Sequence, residues 1–505
     1  MIKKTIIFFI LIVSIVLFTA CNEKNETHKQ TQIKEISKEE AQVKKEISPV
    51  VLEKEEIQVK VKKESITKEI KTIPSYPQKE LNRISSIATK KTIDNFDFDL
   101  IKMGYKDDNT LLIVGGIQGD EPGGFMAASL ISTHYTIKKG SVWIVPNLNF
   151  YSIIKRSRGP YGDMNRKFAN LSKSDPEYKT IQRIKSYISD DSVKLVVNLH
   201  DGSGFYRPTY IDKNHSQYKW GQCSIIDQEK LDIKEYANLA DISKKVVKHV
   251  NKSLIDEEHI YHLHNTRTVE GDKEMEKTLT YYAINQGKSA FGNEASKSLP
   301  THQRVYYHLL ALEKYMDIMG IEFERKFDLS DKVVKNILDN DINISIYDGK
   351  IKLPLAQIRN YLNYFPVKTD GSIDFIPSNP LMSIVRNKNE YTIYYGNRRI
   401  SRLNADYIDI DNSVKTVKLN IDSNDKHIEF GTKVKVDKDF MVYSIKDYKI
   451  NVVGYTDKTK KDTNVLINYE KMLKRFSIDK KGSTYRVEFY TKNKFVGMIL
   501  VEFAG

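Results

Sequence analysis

The spacing of hydrophobic positions changes character along the chain. Between about 90 and 325, short apolar runs alternate with longer stretches of helical period. Residues 111–114 (LLIV), 141–146 (SVWIVP) and 194–199 (KLVVNL) are continuous apolar runs, too short for helices, and read as buried strands. The first runs into a turn-rich segment with Gly115, Gly116, Gly119, Gly123 and Gly124, and an apolar helical pattern follows to Ile131. Tyr178, Ile181, Ile184 and Ile188 keep helical spacing. Ser174-Asp-Pro-Glu177 ahead of them predicts a capping box with proline in the first turn. Residues 232–250 predict an amphipathic helix, and residues 304–319 another, closed by Gly320. Strands alternating with helices predict an α/β domain, a mostly parallel or mixed sheet flanked by helices.

After about 325 the period falls to two. ISIYDGKIKL, YTIYYGNRRISRL, TVKLNI, KVKVDKDFMVYSI and YRVEFYTKNKFVGMILVEF alternate apolar and polar positions between short turns. That patterning predicts two small antiparallel β domains, 326–413 and 414–505, the second a β-sandwich of immunoglobulin-like kind. At the other end, Lys3 and Lys4 precede an apolar run over 6–18 that closes on Thr19-Ala20-Cys21. Residues 1–21 resemble a bacterial lipoprotein signal and predict cleavage before Cys21, a lipid on Cys21 and export to the periplasm or cell envelope. The run is too short for a comfortable transmembrane span. Residues 22–89 are rich in Lys, Glu, Gln and Thr and nearly free of aromatics, a composition that cannot offset the entropy of ordering. They read as a charged tether with a reach of about 40–50 Å.

Composition narrows the function. A chain of 505 residues is too long for one ordinary core. Its net charge of +14 is spread among interleaved acids, with no basic cluster carrying aromatics, so nothing points to nucleic acid. Cys223 is the only cysteine besides Cys21, which excludes a disulfide framework and reads as a small buried side chain. His262 and His264 alternate on a strand-like segment without an obvious third metal partner.

The residues that could carry chemistry stand at predicted strand ends, where open α/β sheets build their sites. Gln118 and Glu121 sit three apart in the loop after the first strand. His200 closes the third, in the frame Asn198-Leu-His200-Asp201-Gly202. One carboxylate, one imidazole and one further donor match the three protein ligands of a catalytic zinc. Arg158, Asn165 and Arg166 lie in RGPYGDMNR, and Glu294 ends the apolar run SAFGNE. Trp220 and Tyr206 fall between the third strand and the next helix and could line a pocket or merely pack.

The frame Gln118-Gly-Asp-Glu121 resembles the metal loop of the zinc carboxypeptidases, whose members carry His-x-x-Glu there. The resemblance implies one Zn2+ per chain on Gln118, Glu121 and His200, with the amide a weaker donor than imidazole. It implies Glu294 as general base and acid, and Asn165-Arg166 as the clamp on the terminal carboxylate. It implies Arg158, or its rival Arg156, as the group polarising the scissile carbonyl. Glu270, Glu274 and Glu276 are alternatives to Glu294. With the β-rich C-terminal half, these features are most similar to the peptidoglycan DL-carboxypeptidases that set curvature in helical Gram-negative bacteria. That subgroup trims a muropeptide tripeptide to a dipeptide at the D-Glu–meso-diaminopimelate bond. Two other readings stay open: an N-acyl amino acid deacylase of the succinylglutamate desuccinylase and aspartoacylase type, and a muropeptide-binding module silenced by Gln118.

Overall fold

Apolar runs become adjacent strands because each is buried on both faces. In the computed structural model, which describes residues 90–92, 96–457 and 461–504, they form the middle of a seven-stranded sheet. The signal segment, Cys21 and the whole tether, 22–89, lie outside the described residues. The strands are β1 (Ile101–Gly104), β2 (Thr110–Val114), β3 (Ser141–Val145), β4 (Val193–Gly202), β5 (Cys223–Ile226), β6 (His262–Asn265) and β7 (Ser289–Ser296). Their order across the sheet is β6-β5-β7-β4-β2-β3-β1. β2, β3, β4 and β7 run parallel and form its centre. β1 is antiparallel to β3, and β5 to β7, so the sheet is mixed. Among the described residues no helix is long and apolar enough to cross a membrane.

The helices are α1 (Pro122–His134), α2 (Phe150–Lys155), α3 (Tyr178–Ile188), α4 (Leu239–Val250), α5 (Leu279–Asn285), α6 (Thr301–Ile318) and α7 (Asp331–Asn340). α6 packs against α1, α4 and α7 in one layer. Side chains alternate along β4, so Asp201 meets Arg304 and His308 of α6 while His200 faces the other way, toward Asn165. The first glycines of α1 let it close on the sheet: a Cβ on Gly124 would stand 2.7 Å from the carbonyl oxygen of Leu199. Gly320, at φ +68°, follows α6 as expected.

Two helix starts differ from expectation. No capping box forms at Ser174. Glu177 is buried, accepting from Asn149 Nδ2 at 2.8 Å and pairing with Lys167 at 2.7 Å, and Ser174 bonds Ser172 instead. Proline therefore precedes the helix, which begins at Tyr178. The helix expected from 232 begins at Leu239, because the Asn238 side chain accepts from Asp241 N at 3.0 Å and caps it there.

Beyond α7 the chain is β-rich, as the period-two pattern predicts, but not wholly antiparallel. Tyr361–Val367 pairs parallel with Arg398–Tyr407, and Lys433–Val436 parallel with Lys494–Phe503. Alternation reports which face is buried and carries no information on the direction of the neighbouring strand. The last part holds two four-stranded sheets around their own apolar cluster. The middle part shares one continuous core with the α/β part. Lys90–Lys91 pairs with Asp374 and Phe375 of that middle part, ahead of the first α/β strand.

Asp201 is a fully buried charge between β4 and α6. It accepts from Gly123 N at 2.8 Å and Arg304 Nη1 at 3.0 Å and meets His308 Nε2 at 3.3 Å. Burial pushes its carboxyl up, but the hydrogen bond and charge of His308, with Arg304 and Gly123, outweigh burial and hold it below the usual carboxylate range. A depressed folded-state pKa contributes stability that is present above the unfolded value near 4 and is lost as pH falls through the folded one. Asp201→Asn is expected to lower stability at pH 7 by about 3 kcal/mol, as breaking a buried ion pair does. The gap to wild type should begin to narrow below about pH 4, where the unfolded chain takes up the proton, and close as pH falls through the lower native value; urea midpoints across pH check both. Gly124→Ala should cost about 1–3 kcal/mol at all pH values, because α1 must move off β4.

Candidate active site

The register of the sheet places the chemistry. Glu294 on β7 stands opposite His200 on β4 and Cys223 on β5. Gln118 and Glu121 come from the loop between β2 and α1, with Glu121 at the helix N-cap. That loop can pass close to α2 because residue 119 is glycine: a Cβ there would lie 2.1 Å from the Ser152 backbone. Gln118 Oε1 and Glu121 Oε2 both stand 3.0 Å from His200 Nδ1. Two oxygens and one nitrogen therefore converge on one point from two strand ends.

Each of the three is held from behind. Gln118 Nε2 donates to Asp163 Oδ1 at 2.7 Å, which turns its oxygen toward His200. Asp201 N donates to Glu121 Oε2 at 3.1 Å. His200 Nε2 lies 2.7 Å from the Asn198 amide. Asp163 also accepts from Arg158 Nε at 3.0 Å and from Asn165 N at 2.9 Å. Burial pushes the Asp163 carboxyl up; Gln118, Arg158 and the Asn165 N–H outweigh it and hold the group low.

A neutral imidazole, a carboxylate and an amide oxygen fit a divalent cation with one position left for water or substrate. Among the described residues no group of three His, Cys, Asp or Glu side chains is arranged to hold a metal. This constellation reaches three donors only through the amide of Gln118.

The pocket that these residues line has a volume of about 260 Å³. Arg158, Asn165, Arg166, Trp220 and Glu294 all line it, as do Gln118, Glu121 and His200. Arg158 Nη1 is 3.2 Å from Glu121 Oε1. Asn165 is fixed by accepting from Leu279 N at 3.0 Å, and Arg166 Nη1 donates to Asn165 O at 3.2 Å. Glu294 is buried, and its Oε2 finds no hydrogen-bond partner among the described residues. Burial, then the charges of Glu121 and Asp201, push its carboxyl well above the ordinary value.

The rival residues lie elsewhere. Arg156 donates to Asn397 O at 2.6 Å, outside the pocket lining. Glu274 pairs with Lys277 and stands 3.8 Å from Arg166, while Glu276 pairs with Lys273. Neither these two nor Glu270 lines the pocket. Cys223 is fully buried with Sγ 3.0 Å from Trp220 O, and burial pushes its thiol well up. Tyr206 stacks on His264 at 4.0 Å, and the Trp220 ring lies tilted against the same imidazole at 5.0 Å. Burial pulls His264 down to about 4.

Asp163, Asn198 and Lys297 were not singled out from sequence. Asp163 and Asn198 stand inside the motifs quoted above, and Lys297 follows Glu294 by three residues; Asn198 meets His200 two residues along β4, while Gln118 and Glu121, the partners of Asp163 and Lys297, come from the loop after β2. Lys297 Nζ lies 2.9 Å from Asp120 Oδ2 and 3.2 Å from Glu121 Oε1.

Comparison with known proteins covers all three parts of the described chain. Residues 83–339 match a family model described as the catalytic part of a carboxypeptidase controlling helical cell shape. Residues 339–409 match the β-barrel domain of the same carboxypeptidases, and residues 410–504 the C-terminal domain of a metallo-carboxypeptidase. The apo structure of the cell shape determinant Csd4 from Helicobacter pylori is 41% identical, with a TM-score of 0.73, over 81% of this chain and all of that one. A tripeptide-bound structure of Csd4 matches equally well. The mDAP-bound form, described as a D,L-carboxypeptidase, is 42% identical over 80% of this chain, with a TM-score of 0.73. No curated protein gives a significant match. With all three of its parts matched in order, the chain belongs to the family of metallocarboxypeptidases that control helical cell shape.

Proposed function

We propose that this carboxypeptidase hydrolyses the D-Glu–meso-diaminopimelate bond of an uncrosslinked peptidoglycan tripeptide, releasing diaminopimelate and a dipeptide. The observation that carries the reading is the convergence of Gln118 and Glu121 on His200, beside a buried Glu294 and an Asn165-Arg166 pair. Support comes from the 41% identity to Csd4, whose structures are described with a tripeptide and with mDAP.

In this reading Gln118, Glu121 and His200 hold one Zn2+. A dication there supplies Lewis-acid charge to the scissile carbonyl and acidifies the attacking water. The chain's own side chains do the rest. Arg166 and Asn165 bind the carboxylate of the leaving residue, a guanidinium offering the paired donors that a carboxylate accepts. Arg158 reaches the carbonyl oxygen as negative charge develops on it. Glu294 takes the proton from water as the C–O bond forms and passes it to the amine as the C–N bond breaks. Its raised proton affinity, caused by burial and by Glu121 and Asp201, suits a group that must both accept and return a proton. Trp220 forms one wall.

The outer parts of the chain complete the proposal. A lipid on Cys21 anchors the protein in the envelope, and residues 22–89 tether residues 90–325 and the two β domains, 326–413 and 414–505, within reach of the wall. In a fractionated cell, Cys21→Ser is expected to move the protein from the membrane to the soluble fraction. Retention in the membrane would remove the anchor from the proposal.

Mass spectrometry of tripeptide treated with the full chain should show dipeptide and free diaminopimelate. Chelation should abolish the reaction and added zinc restore it. Glu294→Gln is expected to lower kcat by about 10²–10⁴-fold with little change in KM. Intact tripeptide after incubation with metal-loaded protein would overturn the assignment.

A further inference from the structure

The pocket has a closed end and a mouth. Ile225, Met275, Thr278 and Thr280 line it and are buried. Arg158 and Lys297 line it with side chains 51% and 32% exposed. A carboxypeptidase takes the chain end inward, so the residue to be released fills the buried end beside Asn165, with the 30% exposed Arg166 side chain at its edge. The rest of the peptide leaves through the mouth, past Lys297. This ordering rests on the function proposed above.

Three cations line this pocket: Arg158, Arg166 and Lys297. The reaction as derived uses the two arginines, one on the terminal carboxylate and one on the scissile carbonyl. Lys297 has no part in it, yet its placement is well defined. Its backbone N donates to Gly202 O at 2.7 Å, which fixes it just beyond β7, three residues past Glu294. Its ammonium reaches Asp120 Oδ2 at 2.9 Å and Glu121 Oε1 at 3.2 Å. An ammonium has three donors, so one remains for a ligand at the mouth.

The substrate residue that reaches this position is unusual. A glutamate joined through its γ-carboxyl keeps its own α-carboxylate free, a few bonds from the scissile carbonyl. An ordinary α-linked residue offers no anion there. We propose that Lys297 binds the free α-carboxylate of the γ-linked glutamate, and so selects a γ-glutamyl acid over its amidated form and over ordinary peptides. It acts as a specificity residue for the substrate on the far side of the scissile bond from Arg166.

The test compares two tripeptides that differ only in whether that α-carboxylate is free or amidated. Wild type is expected to favour the acid by about 10- to 100-fold in kcat/KM, the range for one hydrogen bond to a charged group. The difference should lie mainly in KM. Lys297→Met should bring the ratio to within about twofold of one, and Lys297→Arg should restore part of it. A merely structural lysine, steadying Glu121, would lower both rates together and leave the ratio where it was. An unchanged ratio in Lys297→Met, or equal cleavage of both peptides by wild type, would overturn the proposal while leaving the reaction in place. If metal-loaded wild type cleaves neither peptide, the assigned reaction falls and the role of Lys297 falls with it.

Discussion

Three carboxylates are buried around one pocket wall: Glu121, Asp201 and Glu294. Their mutual repulsion is the constraint that the rest of the site answers. Asp201 is satisfied from the α6 side by Arg304 and His308. Glu121 is satisfied at the mouth by Arg158 and Lys297 and faces His200 inside. None of the ion pairs among the described residues includes Glu294. The balance is therefore uneven, and its proton affinity rises, first through its own burial and then through the charges of Glu121 and Asp201 nearby. An acid–base group emerges from burying one unpaired carboxyl beside two others that have partners.

Sheet register turns that balance into geometry. Because β4 and β7 are parallel and in register, Glu294 and His200 point from the same row, and Gly292 lies opposite Asn198 one row below. β5 then contributes Cys223 and Ile225 to those two rows. Gly292 has no side chain, and a Cβ there would stand 3.2 Å from Ile225. The lower row is thus opened at its centre, where Gly292 and Ile225 both face the pocket. The carboxyl ends of β2, β4 and β7 rise together, so they deliver Gln118, His200 and Lys297 to one rim.

How much of this was legible in the sequence depended on whether a signal was local. The strands, the glycine loop and the pairing of Gln118 with Glu121 were readable, since apolar runs and short spacings report local geometry. His200, Asn165, Arg166, Arg158 and Glu294 all line the pocket; His200 and Glu294 stand near strand ends, and the other three stand in one short motif after α2. Asp163 and Lys297 carry no local mark. Asp163 matters because Gln118 and Arg158 meet it, and Lys297 because Asp120 does; those meetings are set by which loops the sheet brings together. Misreadings have the same origin. Ser174 and Glu177 have the spacing of a capping box, but Lys167 and Asn149 take the glutamate away from it. The parallel pairs in the β-rich half could not be seen in patterns that encode a face and not a partner.

Asp163 also explains how an amide can stand where related carboxypeptidases carry an imidazole. An amide presents oxygen or nitrogen with nearly equal ease, and only a neighbour that distinguishes the two decides between them. Asp163 is held as an anion by Arg158 and the Asn165 N–H, so it accepts and cannot donate. Gln118 must offer its nitrogen to that carboxylate, and its oxygen is then the only donor atom left for the cation side. The same carboxylate ties down Arg158, so the proposed ligand and the proposed carbonyl-polarising group share one anchor. A histidine in this frame would meet the same test, since a neutral ring that gives its N–H to Asp163 turns its lone pair the other way. The site thus specifies a hydrogen-bond direction at position 118 more strictly than it specifies a residue.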